Sequence, residues 1–328
     1  MTLTPDSQVL LLLCSHVGLS ERSDLSPLTL RDWNPLARKI QSSALARPGA
    51  LLGLAASALQ AELELSDLEA VRMARLLERG GALAIVLERL ESLGIWVVTR
   101  ADSHYPQRLR QRLKDRAPAV LFGSGESALV GQPGLAVVGS RHTDEKRQTL
   151  AGMVGNACGR CGLVLYSGGA AGVDRLATQA ALEARGAAVS VLAHSLEQAI
   201  RVPETRSAAS RGDLALLTPY APNAGFSVGA AMGRNRLIYA LADYALVVAS
   251  EAGQGGTWAG ASEALKERWV PVFVLEGPDM PEGNRQLLDK GGASPFPEKS
   301  ATLSTELRRW LEEHSSGHEG AAVQRRLL

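Results

Sequence analysis

The chain has 328 residues, is 45% hydrophobic and carries a formal net charge of +1. It is long enough for two domains with buried cores, and it lacks the whole-chain basic field that advertises a polyanionic or membrane partner. Three cysteines are too few for a disulfide framework, and no apolar run approaches the roughly 20 residues of a membrane-spanning helix.

From Thr4 to about Leu93 the apolar positions fall at three-and-four spacing, which predicts a small helical domain over residues 1–93. Its first apolar stretch, VLLLLCSHVG, is short, has no basic leader and ends without a clear cleavage site, so it is not read as a cleavable signal and the protein is expected in the cytoplasm. Ser66 and Glu69 open SDLEAVRMARLLERGGALAIVLERLESLG with the spacing of a capping box. Residues 94–134 then shift to short extended segments around prolines, expected to be a connector packed on the domain C-terminal to it.

From Leu135 the rhythm becomes apolar strand, glycine turn and helix, repeated. LAVVGSR, LVLYSGGAAGVD, AAVSVLAH, LALLTPY, YALVVASEAGQGGT and VPVFVLEG supply the strands, as near-continuous apolar runs. Such runs alternating with helices predict an α/β fold, a Rossmann-like parallel sheet covered on both faces, over residues 94–299. Ligands bind such sheets outside the carboxyl ends of the strands. Residues 300–328 hold one amphipathic helix, LSTELRRWLEEH, and a basic end, QRRLL, with weak order expected over the last dozen residues.

Three glycine turns fall at that edge. Gly139, Ser140 and Arg141 follow one strand with a helix soon after, and Ser167, Gly168, Gly169 and Ala170 repeat the arrangement one strand later. Gly255, Gly256 and Thr257 open a third helix, while Arg234, Asn235 and Arg236 precede an apolar helical run. Exposed amides at helix starts, with guanidinium groups nearby, make anion sites, and three at one edge suit a polyanion. The glycine patterns match neither the dinucleotide fingerprint nor the P-loop. Asp174 is read as a group that orients the second turn. The 29 arginines against 6 lysines suit phosphate but equally follow from a GC-rich coding bias, so composition neither supports nor excludes DNA.

The segments from DSHYPQRLRQRLKDRAPAVLFGSG through LAVVGSR, YSGGAAGVDRLATQAALEARG, GRNRLIYALADYALVVASEAGQGGTWAGASEAL and EGNRQLLDKGGASPF resemble, in order, the DNA-processing protein A family over about Gly94 to Phe296. The resemblance implies a non-enzymatic protein without cofactor that binds single-stranded DNA, dimerises and helps load the RecA recombinase. It places DNA phosphates near Ser140, Arg141, the Ser167–Ala170 turn, Arg234 and Arg236. A role in transformation, recombination or defence stays open, with an effector or toxin as partner in the last case. The broader superfamily leaves two alternatives, a nucleotide sensor and a nucleoside-monophosphate phosphoribohydrolase, since GQGGTWAGASE approximates the hydrolase signature with Thr257 and Glu263.

Cys158 and Cys161 close a helix and share a face with Leu150, Met153, Val154 and Ala157, so they are read as packing. His16, His104, His142, His194, His314 and His318 lack metal-ligand spacing, and no metal is assigned. Aromatics make up only 4% of the chain, too few for an extended stacking platform; Phe226 is either core or a stacking partner for one base.

Overall fold

The computed structural model describes residues 3–20, 23–141 and 143–323. His142 and the basic end, 324–328, lie outside the described residues. The chain divides into two compact units, one running to Gly123 and including Pro219–Pro222, the other comprising Ser124–Thr218 and the residues from Asn223 onward.

The first unit contains α1 (Pro5–Cys14), α2 (Leu30–Ser42), α3 (Ala56–Leu63), α4 (Asp67–Leu77), α5 (Gly80–Ser92), β1 (Ile95–Thr99), α6 (Gln107–Leu113) and most of β2 (Val120–Gly125). The leucine run is the core helix α1, with Val9 to Leu13 almost fully buried. The capping box is in place: the Ser66 amide donates to the Glu69 carboxylate at 3.0 Å, and Glu69 N–H reaches Ser66 Oγ at 3.4 Å. The Ser66 hydroxyl, which donates to the Glu69 carboxylate at 2.6 Å, and then the Ser66 amide hold the Glu69 carboxyl below its ordinary pKa. The stretch that Ser66 opens forms two helices, α4 and α5, because Gly80 and Gly81 are poor helix formers where α4 ends. The boundary also falls later than 93. β1 pairs with β2, and Asp102 accepts from Thr99 N at 2.7 Å and from Ser7 of α1. The first part of the expected connector, 94–123, is thereby built into the helical unit.

The second unit runs β3 (Gly134–Gly139), α7 (Glu145–Cys161), β4 (Val164–Ser167), α8 (Val173–Glu183), β5 (Ala188–Val191), α9 (Leu196–Ala199), α10 (Pro203–Ser210), β6 (Leu214–Thr218), α11 (Val228–Leu241), β7 (Tyr244–Ala249), α12 (Gly255–Glu267), β8 (Val272–Glu276), α13 (Glu282–Asp289), β9 (Ser294–Pro297) and α14 (Leu307–Val323). Its strands lie in the order β6-β5-β4-β3-β7-β8-β9, and every neighbouring pair is parallel. The six apolar runs read from the sequence are β3 to β8. β9 was not among them; it carries Pro295 and Pro297, which an edge strand tolerates.

The chain starts in the middle at β3, steps outward through β4 and β5 to β6, then crosses by α11 to β7 on the other side of β3. The switch point, where a crevice opens at the carboxyl edge, is therefore between β3 and β7. Behind the sheet α7 and α8 pack backbone to backbone, since a Cβ on Gly155 would overlap the Ala177 carbonyl. Val154, Ala157 and Cys158 are buried there, with Leu150, Met153 and Cys161 half-buried. Residues 300–323 belong to this unit: Leu307 and Leu311 are fully buried, and Trp310 packs edge-on against Phe296 at 4.9 Å between ring centroids. Helix α14 continues to Val323, into the stretch expected to be weakly ordered. No helix among the described residues is long and apolar enough to cross a membrane.

Candidate nucleic-acid interface

At the end of β3 the register shifts between Val138 and Gly139, and the Ser140 amide donates to Ala249 O at 2.9 Å. This ties β3 to β7 at the switch point and leaves Arg141 exposed, its guanidinium 5.1 Å from the Phe226 ring centroid. One strand over, Ser167 is fully buried and its hydroxyl donates to Val137 O at 2.8 Å. It joins β4 to β3 and has no surface to offer a ligand.

Gly168 N–H donates to Asp174 Oδ2 at 3.1 Å, the loop-orienting role read for Asp174. A side chain at Gly168 would overlap the Arg234 guanidinium, which explains the missing Cβ in the YSGGAAG turn: the close neighbour is an arginine from α11. Burial raises the Asp174 pKa to about 6, against the opposing pull of Arg234 and of the Gly168, Ala170 and Gly139 amides. Arg234 is only 4% exposed, so it sits at the bottom of the site and not on its rim.

Asn235 Nδ2 donates to Gly256 O at 2.8 Å, fixing the start of α12 against α11. Gln254 has extended N-cap geometry but makes no capping bond among the described residues, so the first amides of α12, at Gly255, Gly256 and Thr257, are available to a ligand. α8 likewise starts at Gly172 without a side-chain cap among the described residues. Asn284, from the EGNRQLL motif, is buried and donates to Val248 O and Leu275 O at 3.0 and 3.2 Å, locking the carboxyl ends of β7 and β8 together.

These elements surround a cavity of about 480 Å³. Of the residues read from the sequence, Gly139, Ser140, Arg141, Ala170, Arg234, Asn235, Gly255, Gly256 and Thr257 line it, together with Phe226, which is half-exposed. Ser167, Gly168, Gly169 and Arg236 do not. Arg236 donates to Glu263 at 2.8 Å, which takes up the carboxylate that a phosphoribohydrolase would need; Glu263 does not line the cavity either. Ser250, Glu251 and Tyr239 also line it, although their sequence positions carry no turn motif. Ser250 and Glu251 follow β7 directly at the ligand edge, so strand position alone points to them, whereas Tyr239 lies in an apolar helical run that reads as core. No cluster of three metal-ligating side chains occurs among the described residues.

A family model described as DNA recombination-mediator protein A matches residues 96–307. A Mycobacterium tuberculosis protein named for DNA processing, DprA, is 31% identical over 208 residues, covering 58% of this chain and 52% of that protein. The chain thus spans about half the length of the curated relatives it matches. Among solved structures, DNA processing protein A from Streptococcus pneumoniae aligns with a TM-score of 0.57 at 23% identity, covering 76% of this chain and 90% of that one. The Helicobacter pylori protein, described for its single-stranded DNA binding mode, aligns with a TM-score of 0.52 at 22% identity, covering 67% and 96%. At these identities the structural likenesses establish the α/β fold.

Proposed function

Because the chain belongs to the DNA recombination-mediator protein A family, we propose that it is a non-catalytic DNA-processing protein that holds single-stranded DNA mainly by its phosphates. The observation that carries this reading is the convergence of the β3, β4 and α12 turns on one cavity at the switch point of the sheet. The uncapped start of α12 and the exposed Arg141 supply fixed donors and positive charge to an anion. Phe226, beside Arg141, offers a surface for a single base, and with few other aromatics the binding is expected to depend weakly on sequence. The H. pylori protein, described as binding single-stranded DNA, supports the choice of nucleic acid.

A second copy of this chain as partner, delivery of the RecA recombinase to the bound strand and a cytoplasmic location belong to the same proposal. Fluorescence anisotropy with one oligonucleotide, single-stranded and annealed, tests it. Tighter binding to the single strand is expected; equal affinity, or none for either, overturns it.

A further inference from the structure

We infer that the cavity receives a nucleotide carrying a terminal phosphomonoester, so that a strand is captured by its phosphorylated end. The strand part rests on the proposed DNA reading; the phosphomonoester part stands on the cavity itself.

The cavity is a pit. Val138, Ile238, Tyr239 and Ser250 line it and are each at most 6% exposed. A strand running across the sheet edge touches the rim; to reach these residues it must end or turn back on itself. The volume, about 480 Å³, falls within the roughly 300–1,000 Å³ of sites that enclose whole small molecules, more than a phosphate alone requires.

The chemistry of the pit suits a monoester. Ser250 Oγ and Tyr239 OH are buried and have no hydrogen-bond partner among the described residues, a costly condition that a bound acceptor relieves. Beside them open the uncapped amides of the 13-residue helix α12. Among the charged lining residues Asp174 offsets Arg234 beside it and Glu251 offsets Arg141, so the N-terminus of α12 tips the local field towards positive. A terminal phosphate brings three unesterified oxygens and a charge near −2, where a diester brings two and −1; it uses more of these donors and gains more from the field. At the mouth, the exposed Glu251 is a poor neighbour for a run of phosphates but accepts from a sugar hydroxyl or a base amino group. Phe226, Val228 and Met232, 51%, 69% and 47% exposed, add an apolar part to the lining, which covers a nucleoside.

The same chemistry is carried by a phosphorylated DNA end and by a free mononucleotide, and the experiment separates the two. Anisotropy on the full chain compares one labelled oligonucleotide with a 5′-phosphate, with a 3′-phosphate, with hydroxyl ends only, and as a closed circle, and a thermal-shift series adds mononucleotides. A phosphorylated end is expected to bind about tenfold tighter than the circle. Ser250→Ala and Tyr239→Phe, which remove hydroxyls while nearly keeping shape, should each erase most of that gain, costing the phosphorylated end far more than the circle. Equal affinity for all DNA forms overturns the inference and leaves the single-strand reading standing. Absence of DNA binding, with a mononucleotide shift that both variants lose, supports the pit and overturns the DNA reading. Absence of both overturns both, and an equal loss for circle and phosphorylated end in the variants shows that the hydroxyls do not read the end.

Discussion

Asp174 is a carboxylate in an unfavourable place, 6% exposed at the foot of the pit. Burial raises its pKa from 3.8 to about 6, so between these values the folded state binds a proton that the unfolded chain has released. Its contribution to stability therefore grows as pH falls from above 6 towards 4, and above 6 the ionised group costs the fold on the order of 3 kcal/mol. Asp174→Asn keeps the shape and removes the titration. In urea titrations from pH 4 to 8, wild-type stability is expected to rise relative to the variant as the medium is acidified through pH 6, with most of the change complete by pH 4. A difference that stays constant across the range would mean that Asp174 is not held in this environment. The Arg234 charge and the amides of Gly168, Ala170 and Gly139 limit the cost, and that is how two strand-end turns and a helix are fastened around one buried carboxylate.

At the scale of elements, α12 carries a stability cost at the end that the proposed site would use. Gln254 occupies the N-cap with extended backbone and makes no capping bond among the described residues; Ser at this position would supply one, worth about 1 kcal/mol. Gln254→Ser is expected to raise the melting temperature and to weaken single-stranded DNA binding, because its hydroxyl takes an amide that the ligand would use. A higher melting temperature with unchanged affinity would place the DNA elsewhere. The α7–α8 contact sets two other terms against each other. Gly155→Ala improves helix propensity by roughly 1 kcal/mol, but its Cβ meets the Ala177 carbonyl, and overpacking of this kind costs typically 1–3 kcal/mol. A net loss of stability in thermal denaturation is expected, and a gain would show that the two helices can move apart freely. The strands β3 to β8 were legible because buried parallel strands write themselves as unbroken apolar runs. β9 was not, since an edge strand with two prolines leaves no such run. The start of α4 was legible from Ser66 and Glu69, but the break before α5 was lost in an apolar period that both helices continue.

For the whole molecule, the sheet order explains both what the glycine turns revealed and what they hid. Turns distant in sequence meet because β3 lies between β4 and β7, and one-dimensional spacing identified the edge without identifying its depth. Arg234, Asn235 and Arg236 illustrate this: they lie on one helix, so consecutive residues point about 100° apart, and of the three Arg234 and Asn235 line the cavity while Arg236 does not. With a net charge of +1 the chain has little far-field attraction for DNA, so on the proposed reading affinity comes from this site and its salt dependence counts the phosphates held there. Each phosphate neutralised on a single strand contributes a slope of roughly −0.7 in log K against log salt. Arg141 is exposed and lines the cavity, and Arg141→Ala is expected to weaken binding to all sequences about equally and to reduce the slope by roughly 0.7. Arg236 is paired with Glu263 at 2.8 Å, outside the cavity, with its side chain 44% exposed. Arg236→Ala should therefore leave the slope nearly unchanged and cost at most about 1 kcal/mol of stability, as exposed ion pairs do. Anisotropy titrations at four or five salt concentrations measure both variants, and a larger slope change in Arg236→Ala than in Arg141→Ala would move the phosphate track out of the cavity and onto the α11–α12 face.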